Sequence, residues 1–394
     1  MNYKESSIVK ANNKITLSDS QKIKNNKLFV NFMSSDQAKK AKSNRRNTWI
    51  FLAVNIAIVA AIFIYQFCFK ETKPLSALFA EKPFYRYFFI ALGILFVYYL
   101  ISAISYSILL KKTTGKFRFW LALQIAIVGK YWDNITPFGS GGQFAQVAHG
   151  SKKGISGDIT TSIVVGKYMI GMLSFCSIGI AALCIPIDTF TSGKVIYILA
   201  AVGVGINILL TAFVWIISVN RKLCAKLVLG TIKLLHKIKI VKNYNRAKIK
   251  AIRFVKQYQK AFKCFVKRPL VFISEYITNI LEWLLISSIA YMIYLAFNPT
   301  GTVSIVTILA MSFLCTFATS FIPLPGGSGA AEISFAALFS KLFTEGATFW
   351  ALIFWRIFTY YIVIIIGFLF TITDQFTSRR FNKSNNHYFV RKAK

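Results

Sequence analysis

Long apolar runs, separated by polar and basic stretches, are the main pattern along the chain. A helix needs about 20 apolar residues to cross the ~30 Å hydrocarbon core of a bilayer. Runs of that length predict full membrane spans at residues 47–69, 85–110, 158–184, 194–218, 269–298 and 347–371. The residues before the first span are polar and basic, so no cleavable signal peptide is expected.

Two further apolar segments, 117–150 and 303–343, are interrupted by the same pattern, P-x-G-S-G. It occurs as PFGSGG at 137–142 and as PGGSGA at 325–330. Proline removes a backbone donor and glycine weakens a helix, so each pattern should break the helix that contains it. Basic residues flank both ends of the first segment, whereas both ends of the second adjoin loops predicted on the opposite side. We therefore predict two oppositely oriented re-entrant hairpins. The alternative is a topology of eight spans, in which the broken segments also cross the membrane.

These elements predict an all-α polytopic membrane protein, and charge sets its orientation. The chain carries 48 Lys and Arg against 13 Asp and Glu, a formal net charge of +35. The excess lies in residues 1–46, in residues 219–268 and after the last span, and excess Lys and Arg mark the cytoplasmic side. We predict basic cytoplasmic tails at 1–46 and 376–394 and a transmembrane domain at 47–375, with both termini in the cytoplasm.

The basic segment 219–268 contains no acidic residue. Apolar side chains recur among its lysines at roughly helical spacing, namely Leu223, Leu227, Leu234, Leu235 and Ile238. This pattern predicts an interfacial amphipathic helix that binds anionic lipid headgroups. The alternative is an ordinary positive-inside loop of unusual length. We expect no nucleic-acid partner, because a segment held between two spans is better placed to meet lipid.

The residue types that usually carry catalysis or bind metals show no such arrangement here. The six cysteines include no CxxC pair and mostly lie in or beside apolar spans, as small buried hydrophobic residues do. The three histidines are scattered, and the sequence has neither a Walker A motif nor a G-x-S-x-G elbow. We therefore predict no catalytic residues, no metal site and no cofactor.

The two broken segments are the first candidate site. A Gly-Ser-Gly turn that leads into a helix presents free N–H groups and the positive end of the helix dipole, which suits an anion such as phosphate. The alternative is that the glycines only permit close packing and that Glu332 caps its own helix. The candidate residues are Gly139, Ser140, Gly141, Gly142 and Gln143 at the first turn and Gly326, Gly327, Ser328 and Gly329 at the second.

Charged side chains at membrane depth are the second candidate site. Glu275 and Asn279 share one helical face with Glu282. Each charge at the bilayer centre costs roughly 2.5–3.5 kcal/mol, so we expect Glu282 or Glu332 to pair with Arg356 or Lys167. Such pairs either lock helices together or line a hydrophilic groove for a charged headgroup. The candidate residues are Lys167, Glu282, Glu332, Arg356 and Tyr360.

These stretches also resemble a known family. NITPFGSGGQ at 134–143, PGGSGAAE at 325–332 and FWRIFTYY at 354–361 resemble the flippase-like transmembrane region of lysylphosphatidylglycerol synthases, the multiple peptide resistance factors, and their stand-alone relatives. The resemblance covers roughly residues 47–375. It implies a bacterial cell-membrane protein that translocates a charged phospholipid, such as lysyl-phosphatidylglycerol, or a lipid-linked headgroup, with a link to cationic peptide resistance.

In the full-length synthases a separate cytosolic domain uses aminoacyl-tRNA to make the aminoacylated lipid. Here the chain ends about 20 residues after the last predicted span, so we expect no lysyltransferase activity of its own. Two alternatives stay open. The chain is the membrane part of a phosphatidylglycerol lysyltransferase system completed by a separate lipid-modifying enzyme, or it transports a solute or an ion.

Overall fold

The computed structural model describes most of the chain between residues 84 and 374. Within that stretch it leaves out residues 187–193, 238–242, 246, 250, 253–254, 257–258, 260–266, 299, 344–345 and 372. The predicted span at 47–69 and the tails at 1–46 and 376–394 lie outside the described residues.

The described residues form helices joined by short turns and contain no strand. The helices are α1 (Phe84–Thr114), α2 (Phe119–Ile135), α3 (Gly142–Lys152), α4 (Gly157–Leu183), α5 (Lys194–Val219), α6 (Arg221–Lys237), α7 (Pro269–Phe297), α8 (Ile305–Thr319), α9 (Ala330–Phe339) and α10 (Ala347–Arg356). The last of these continues through a π-helical segment, Ile357–Tyr361, in an apolar helix that reaches Thr371. The all-α polytopic class is confirmed.

Five helices are long and apolar enough to cross a membrane. They are Tyr85–Thr114, Gly157–Leu183, Val195–Val219, Pro269–Phe297 and Ala347–Thr371, which agree within a few residues with five of the predicted spans. Local signals set where some of them begin. The Ser156 hydroxyl accepts a hydrogen bond from the Ile159 amide at the start of α4, and Pro269 occupies the first turn of α7.

Each broken segment folds into a helical hairpin, α2–α3 and α8–α9, whose limbs pack together. A helix rises 1.5 Å per residue, so the 11 residues of α3 and the 10 residues of α9 span only about 15 Å. That is about half the hydrocarbon thickness. The short limbs favour re-entrant hairpins over the topology in which each broken segment crosses completely.

The two hairpins contact each other at their turns, Pro137–Gly139 and Pro325–Gly327. The second turn also contacts α2. A tip-to-tip contact is the arrangement expected when two re-entrant hairpins enter from opposite sides and meet near the midplane.

The order of elements is the same in two parts of the chain. The first unit consists of α1, the hairpin α2–α3 and α4, and the second consists of α7, the hairpin α8–α9 and α10. α1 and α7 pack extensively against each other, and so bring the two units together. We call these parts the first unit and the second unit.

The hydrophobic core lies mainly in the second unit. Its fully buried side chains include Phe317 on α8, Phe335 and Phe339 on α9, and Phe358 after α10. The rings of Phe335 and Phe339 stack at 4.4 Å. A smaller cluster joins α1, α2 and α4 in the first unit. The second hairpin is therefore held in a dense core, whereas the first hairpin is packed less deeply.

The predicted amphipathic segment is helical from Arg221 to Lys237. Leu227 and Leu234 on this helix are exposed, as are four lysines, Lys222, Lys226, Lys233 and Lys237. The side chain of Leu235 and the whole of Ile238 lie outside the described residues. The exposed leucines and lysines are those expected of a helix at a membrane surface.

Candidate functional site

The two turns share their backbone conformation from the residue before the proline to the second residue after it. Each proline follows an extended residue, Thr136 (φ −110°, ψ 146°) or Leu324 (φ −105°, ψ 142°). The residue after each proline is left-handed, with φ of 56° at Phe138 and 60° at Gly326. In both turns the serine hydroxyl donates to the proline carbonyl oxygen at 2.9 Å. The same conformation therefore begins both turns, but the chain leaves them differently, because Ser140 is helical (φ −89°, ψ −8°) and Ser328 is not (φ −55°, ψ 144°).

The turns differ in the acidic residue that holds them. At the first turn Asp133, which precedes the turn, accepts a hydrogen bond from the Gly142 amide at 3.0 Å. At the second turn Glu332, which follows it, accepts one from the Gly329 amide through Oε2 at 2.6 Å. The two carboxylates thus accept hydrogen bonds from backbone N–H groups that we expected, from the sequence, to be free for an anion. The interpretation that Glu332 caps its own helix is confirmed.

The position after the proline also distinguishes the turns. A Cβ at Gly326 would lie 2.1 Å from Cε2 of Tyr360, so the ring packs where any larger residue would place its side chain. Phe138 holds the same left-handed conformation in the first turn with its side chain 60% exposed. The second turn is closed against Tyr360, whereas the first carries an exposed aromatic ring.

Arg356 and Glu332 meet beside the second turn, and we call this group the arginine centre. Arg356 Nε lies 2.8 Å from Glu332 Oε1, and Arg356 Nη1 donates to the Gly326 carbonyl oxygen at 3.1 Å. The guanidinium also lies 5.2 Å from the Trp355 ring centre and 5.3 Å from that of Tyr360. Both charged side chains are buried, with 5% of Arg356 and 7% of Glu332 exposed.

The donors of Arg356 are incompletely used. Nη2 has no hydrogen-bond partner among the described residues, and Nε is close to Glu332 without the alignment of a hydrogen bond. A buried donor without an acceptor costs about 1–3 kcal/mol. Beside it, the first amides of α9 have no acceptor within their own helix. The arginine centre therefore places an unused guanidinium nitrogen beside a helix N-terminus whose Gly329 amide is already held by Glu332.

A second buried group, which we call the lysine network, joins α1, α4 and α7. Lys167 Nζ lies 2.9 Å from Glu282 Oε1 and donates to Ser105 Oγ at 2.7 Å. The Ser105 hydroxyl in turn donates to Glu275 Oε2 at 2.7 Å, and Lys167 lies 3.6 Å from the same oxygen. The Tyr106 ring centre is 5.1 Å from Lys167 Nζ.

The structure thus sorts the predicted residues into groups. Gly326, Gly329, Glu332, Arg356 and Tyr360 belong to the arginine centre, and Lys167 and Glu282 belong to the lysine network. Gly139, Ser140, Gly141 and Gly142 form the first turn and the start of α3, and Gly327 and Ser328 lie in the second turn. Gln143 is only partly buried on α3, and its side chain makes no hydrogen bond among the described residues.

In both groups the charged side chains pair with one another. The sequence left open whether such pairs lock helices together or line a hydrophilic groove, and the pairing by itself is compatible with either role. Oppositely charged groups at membrane depth are stabilised by such pairing.

Three residues at or beside the lysine network were not predicted from the sequence. Ser105 and Tyr106 are polar positions on α1, and Gln146 on α3 donates to the Tyr106 hydroxyl at 2.9 Å and to the Ile125 carbonyl oxygen at 3.1 Å. Serine and tyrosine occur throughout the predicted spans. Their sequence positions therefore carry no signal that separates these residues from the rest.

Comparison with known proteins identifies the family. A family model described as the lysylphosphatidylglycerol synthase TM region matches residues 50–367, which include both turns, the arginine centre and the lysine network. Among curated proteins, no significant match is found. Because the matched residues make up most of the chain, this protein belongs to the family of the lysylphosphatidylglycerol synthase transmembrane region.

Proposed function

We propose that the protein moves a phospholipid with a charged headgroup, or a lipid-linked headgroup, between the two leaflets of a bacterial cell membrane. In this proposal the headgroup phosphate binds at the arginine centre. Lysyl-phosphatidylglycerol is one candidate lipid, because the chain belongs to a family defined by the transmembrane region of its synthases.

The observation that carries the proposal is the buried, unpartnered Nη2 of Arg356. It lies next to the N-terminus of a helix at the contact of two re-entrant turns. A guanidinium binds phosphate oxygens with two parallel donors, and a helix N-terminus favours the same ligand. These two features together match a phosphate better than an uncharged solute.

Glu332 would act as the internal competitor of the phosphate. Its Oε1 lies 2.8 Å from Arg356 Nε and its Oε2 holds the Gly329 amide. When the hairpin tips separate, an incoming phosphate takes the place of this carboxylate at the guanidinium. When the phosphate leaves, Glu332 restores the closed pair, so Arg356 is not left as an uncompensated buried charge.

We further propose that α6 binds anionic lipid headgroups at the cytoplasmic surface. Its exposed lysines lie among the exposed Leu227 and Leu234. A basic side chain near an anionic leaflet contributes on the order of 1 kcal/mol to binding. The helix would lie at the membrane surface after α5 and concentrate anionic lipid there.

The arginine centre is tested by lipid translocation and thermal stability, measured on the same proteoliposome preparations. Arg356→Ala should strongly reduce movement of a fluorescent phospholipid. Arg356→Lys should not restore it, because an ammonium lacks the two-donor geometry. Glu332→Gln should change the rate while the protein stays folded. Arg268→Ala, which removes an exposed arginine at the start of α7, is the matched control and should transport normally.

The competing interpretations predict other results. If the pair only holds helices together, removing either partner leaves a buried charge and costs roughly 3–5 kcal/mol of stability, with transport lost in proportion to folded protein. Folded variants with wild-type transport would remove both residues from the mechanism. Lysyl-lipid formed in a host that expresses only this chain would favour the lysyltransferase alternative, and solute or ion flux without lipid movement would favour the transporter alternative.

A further inference from the structure

Phe138, in the first turn, has a backbone conformation that costs free energy. Its φ of 56° lies in the left-handed region, where the Cβ comes too close to the following carbonyl oxygen. It is the only residue other than glycine with a positive φ in the part of the chain that the structure describes. The corresponding residue of the second turn, Gly326, adopts the same conformation without a Cβ. Glycine is therefore the unstrained choice at this position, and the chain has a phenylalanine instead.

Packing does not offset this strain. A large apolar side chain contributes to stability when it is buried, but Phe138 is 60% exposed. At Gly326, in contrast, the space of a side chain is filled by the ring of Tyr360, which is buried. Strained residues that the fold does not require are found mainly at functional sites. The conformation and the exposure of Phe138 together indicate a role outside the folded core.

The first turn lies at membrane depth. The short limb α3 connects it to the exposed, basic Lys152 over about 15 Å. In a re-entrant hairpin this length places the turn about half way through the ~30 Å hydrocarbon core. The backbone of the turn is held against the second turn, as irregular backbone at that depth must be held against protein. The exposed ring of Phe138 is left to contact the acyl chains of lipid.

The same turn lies beside the arginine centre. It contacts the second turn, in which the Gly326 carbonyl oxygen accepts a hydrogen bond from Arg356 at 3.1 Å. A phospholipid joins its phosphate to its acyl chains through one glycerol unit. Two neighbouring turns, one with a guanidinium and the other with an exposed aromatic ring, therefore match the polar and the apolar part of one lipid molecule.

We propose that Phe138 binds an acyl chain of the phospholipid whose phosphate binds Arg356. The left-handed backbone holds the ring out from the tip of the first hairpin, in the hydrocarbon and beside the phosphate site. The first hairpin thereby receives the tail of the lipid while the second receives its headgroup. This inference rests on the proposed function, because the lipid is the one that the arginine centre is proposed to bind.

The first test measures movement of a fluorescent phosphatidylglycerol in proteoliposomes, together with the unfolding free energy of the same variants. Phe138→Gly removes the ring and the strain, so it should slow lipid movement several-fold while the protein becomes more stable. Phe138→Ala keeps the strain without the ring and should slow movement equally, whereas Phe138→Trp should retain most of the wild-type rate. The control Phe96→Ala removes a ring that is 64% exposed on α1 and should transport normally.

The second test identifies what covers the ring. Benzoylphenylalanine in place of Phe138 or Phe96 is photolysed in liposomes that contain phosphatidylglycerol and diacylglycerol with the same labelled acyl chain. Bulk lipid sets the ratio of the two cross-linked products at Phe96. At Phe138 the ratio should favour phosphatidylglycerol several-fold over that value, and Arg356→Ala should remove the preference, because the phosphate no longer holds the lipid there.

Three results would overturn the inference without affecting the proposed function. They are wild-type lipid movement by Phe138→Gly, equal cross-linking ratios at Phe138 and Phe96, and cross-links from Phe138 to protein alone. Transport lost only in proportion to folded protein would show that the ring stabilises the fold, and would also overturn the inference. Absence of any lipid movement by the wild type would overturn the proposed function itself.

Discussion

Replacing Gly326 by Ala tests whether the second turn is closed against Tyr360. The residue has φ of 60°, and a side chain in the left-handed region costs about 1–2 kcal/mol. The added Cβ would also lie 2.1 Å from Cε2 of Tyr360, a ring that is only 4% exposed and cannot move freely. Overpacking of this kind costs typically 1–3 kcal/mol. The sum predicts a loss of roughly 2–5 kcal/mol.

The matched control is Gly154→Ala. Gly154 lies between α3 and α4 with φ of 87° and has no neighbouring atom within 4 Å of an added Cβ. This change should cost only the backbone strain, about 1–2 kcal/mol. The free energy of unfolding, measured in mixed micelles with increasing dodecyl sulfate, gives both values. In a Tyr360→Ala background the cost at Gly326 should fall to that at Gly154. Equal costs in the wild-type background would refute the argument from the Tyr360 ring.

Three further predictions follow from the turns and from α6. Phe138→Gly should stabilise the protein by about 1 kcal/mol, because it relieves left-handed strain at a largely exposed side chain; a lower unfolding free energy would contradict this. Single cysteines at Ser140 and at Pro323, exposed positions beside the first and second turns, should react with membrane-impermeant thiol reagents from opposite sides, and labelling of both from one side would rule out oppositely oriented hairpins. Replacing the four exposed lysines of α6 by Gln should reduce the amount of anionic lipid that co-purifies with the protein and leave the amount of zwitterionic lipid unchanged. An unaltered amount of anionic lipid would argue against headgroup binding at α6.

The sequence by itself determined the class, the spans and the breaks. Hydrocarbon thickness sets the length of an apolar run, and proline and glycine act on the helix that contains them. These are local effects, so five of the predicted spans and both turns could be placed from residue patterns. Because a charge in the membrane is costly, the sequence also predicted that Glu282 and Glu332 would pair with Lys167 and Arg356. The structure contains two such pairs, Glu332–Arg356 and Lys167–Glu282.

Only the tertiary structure decided which groups share a site and which donors stay unused. The choice between Lys167 and Arg356 as partner of Glu332 depends on how α4 and α10 pack, which no short stretch encodes. Ser105 and Glu275 join Lys167 because α1, α4 and α7 converge, across 170 residues of chain between the serine and the glutamate. The unpartnered Nη2 of Arg356 follows from the orientation of one guanidinium against Gly326 and Glu332. Long-range packing fixes such orientations, and hydrophobic patterning, which is averaged over whole helical faces, does not contain them.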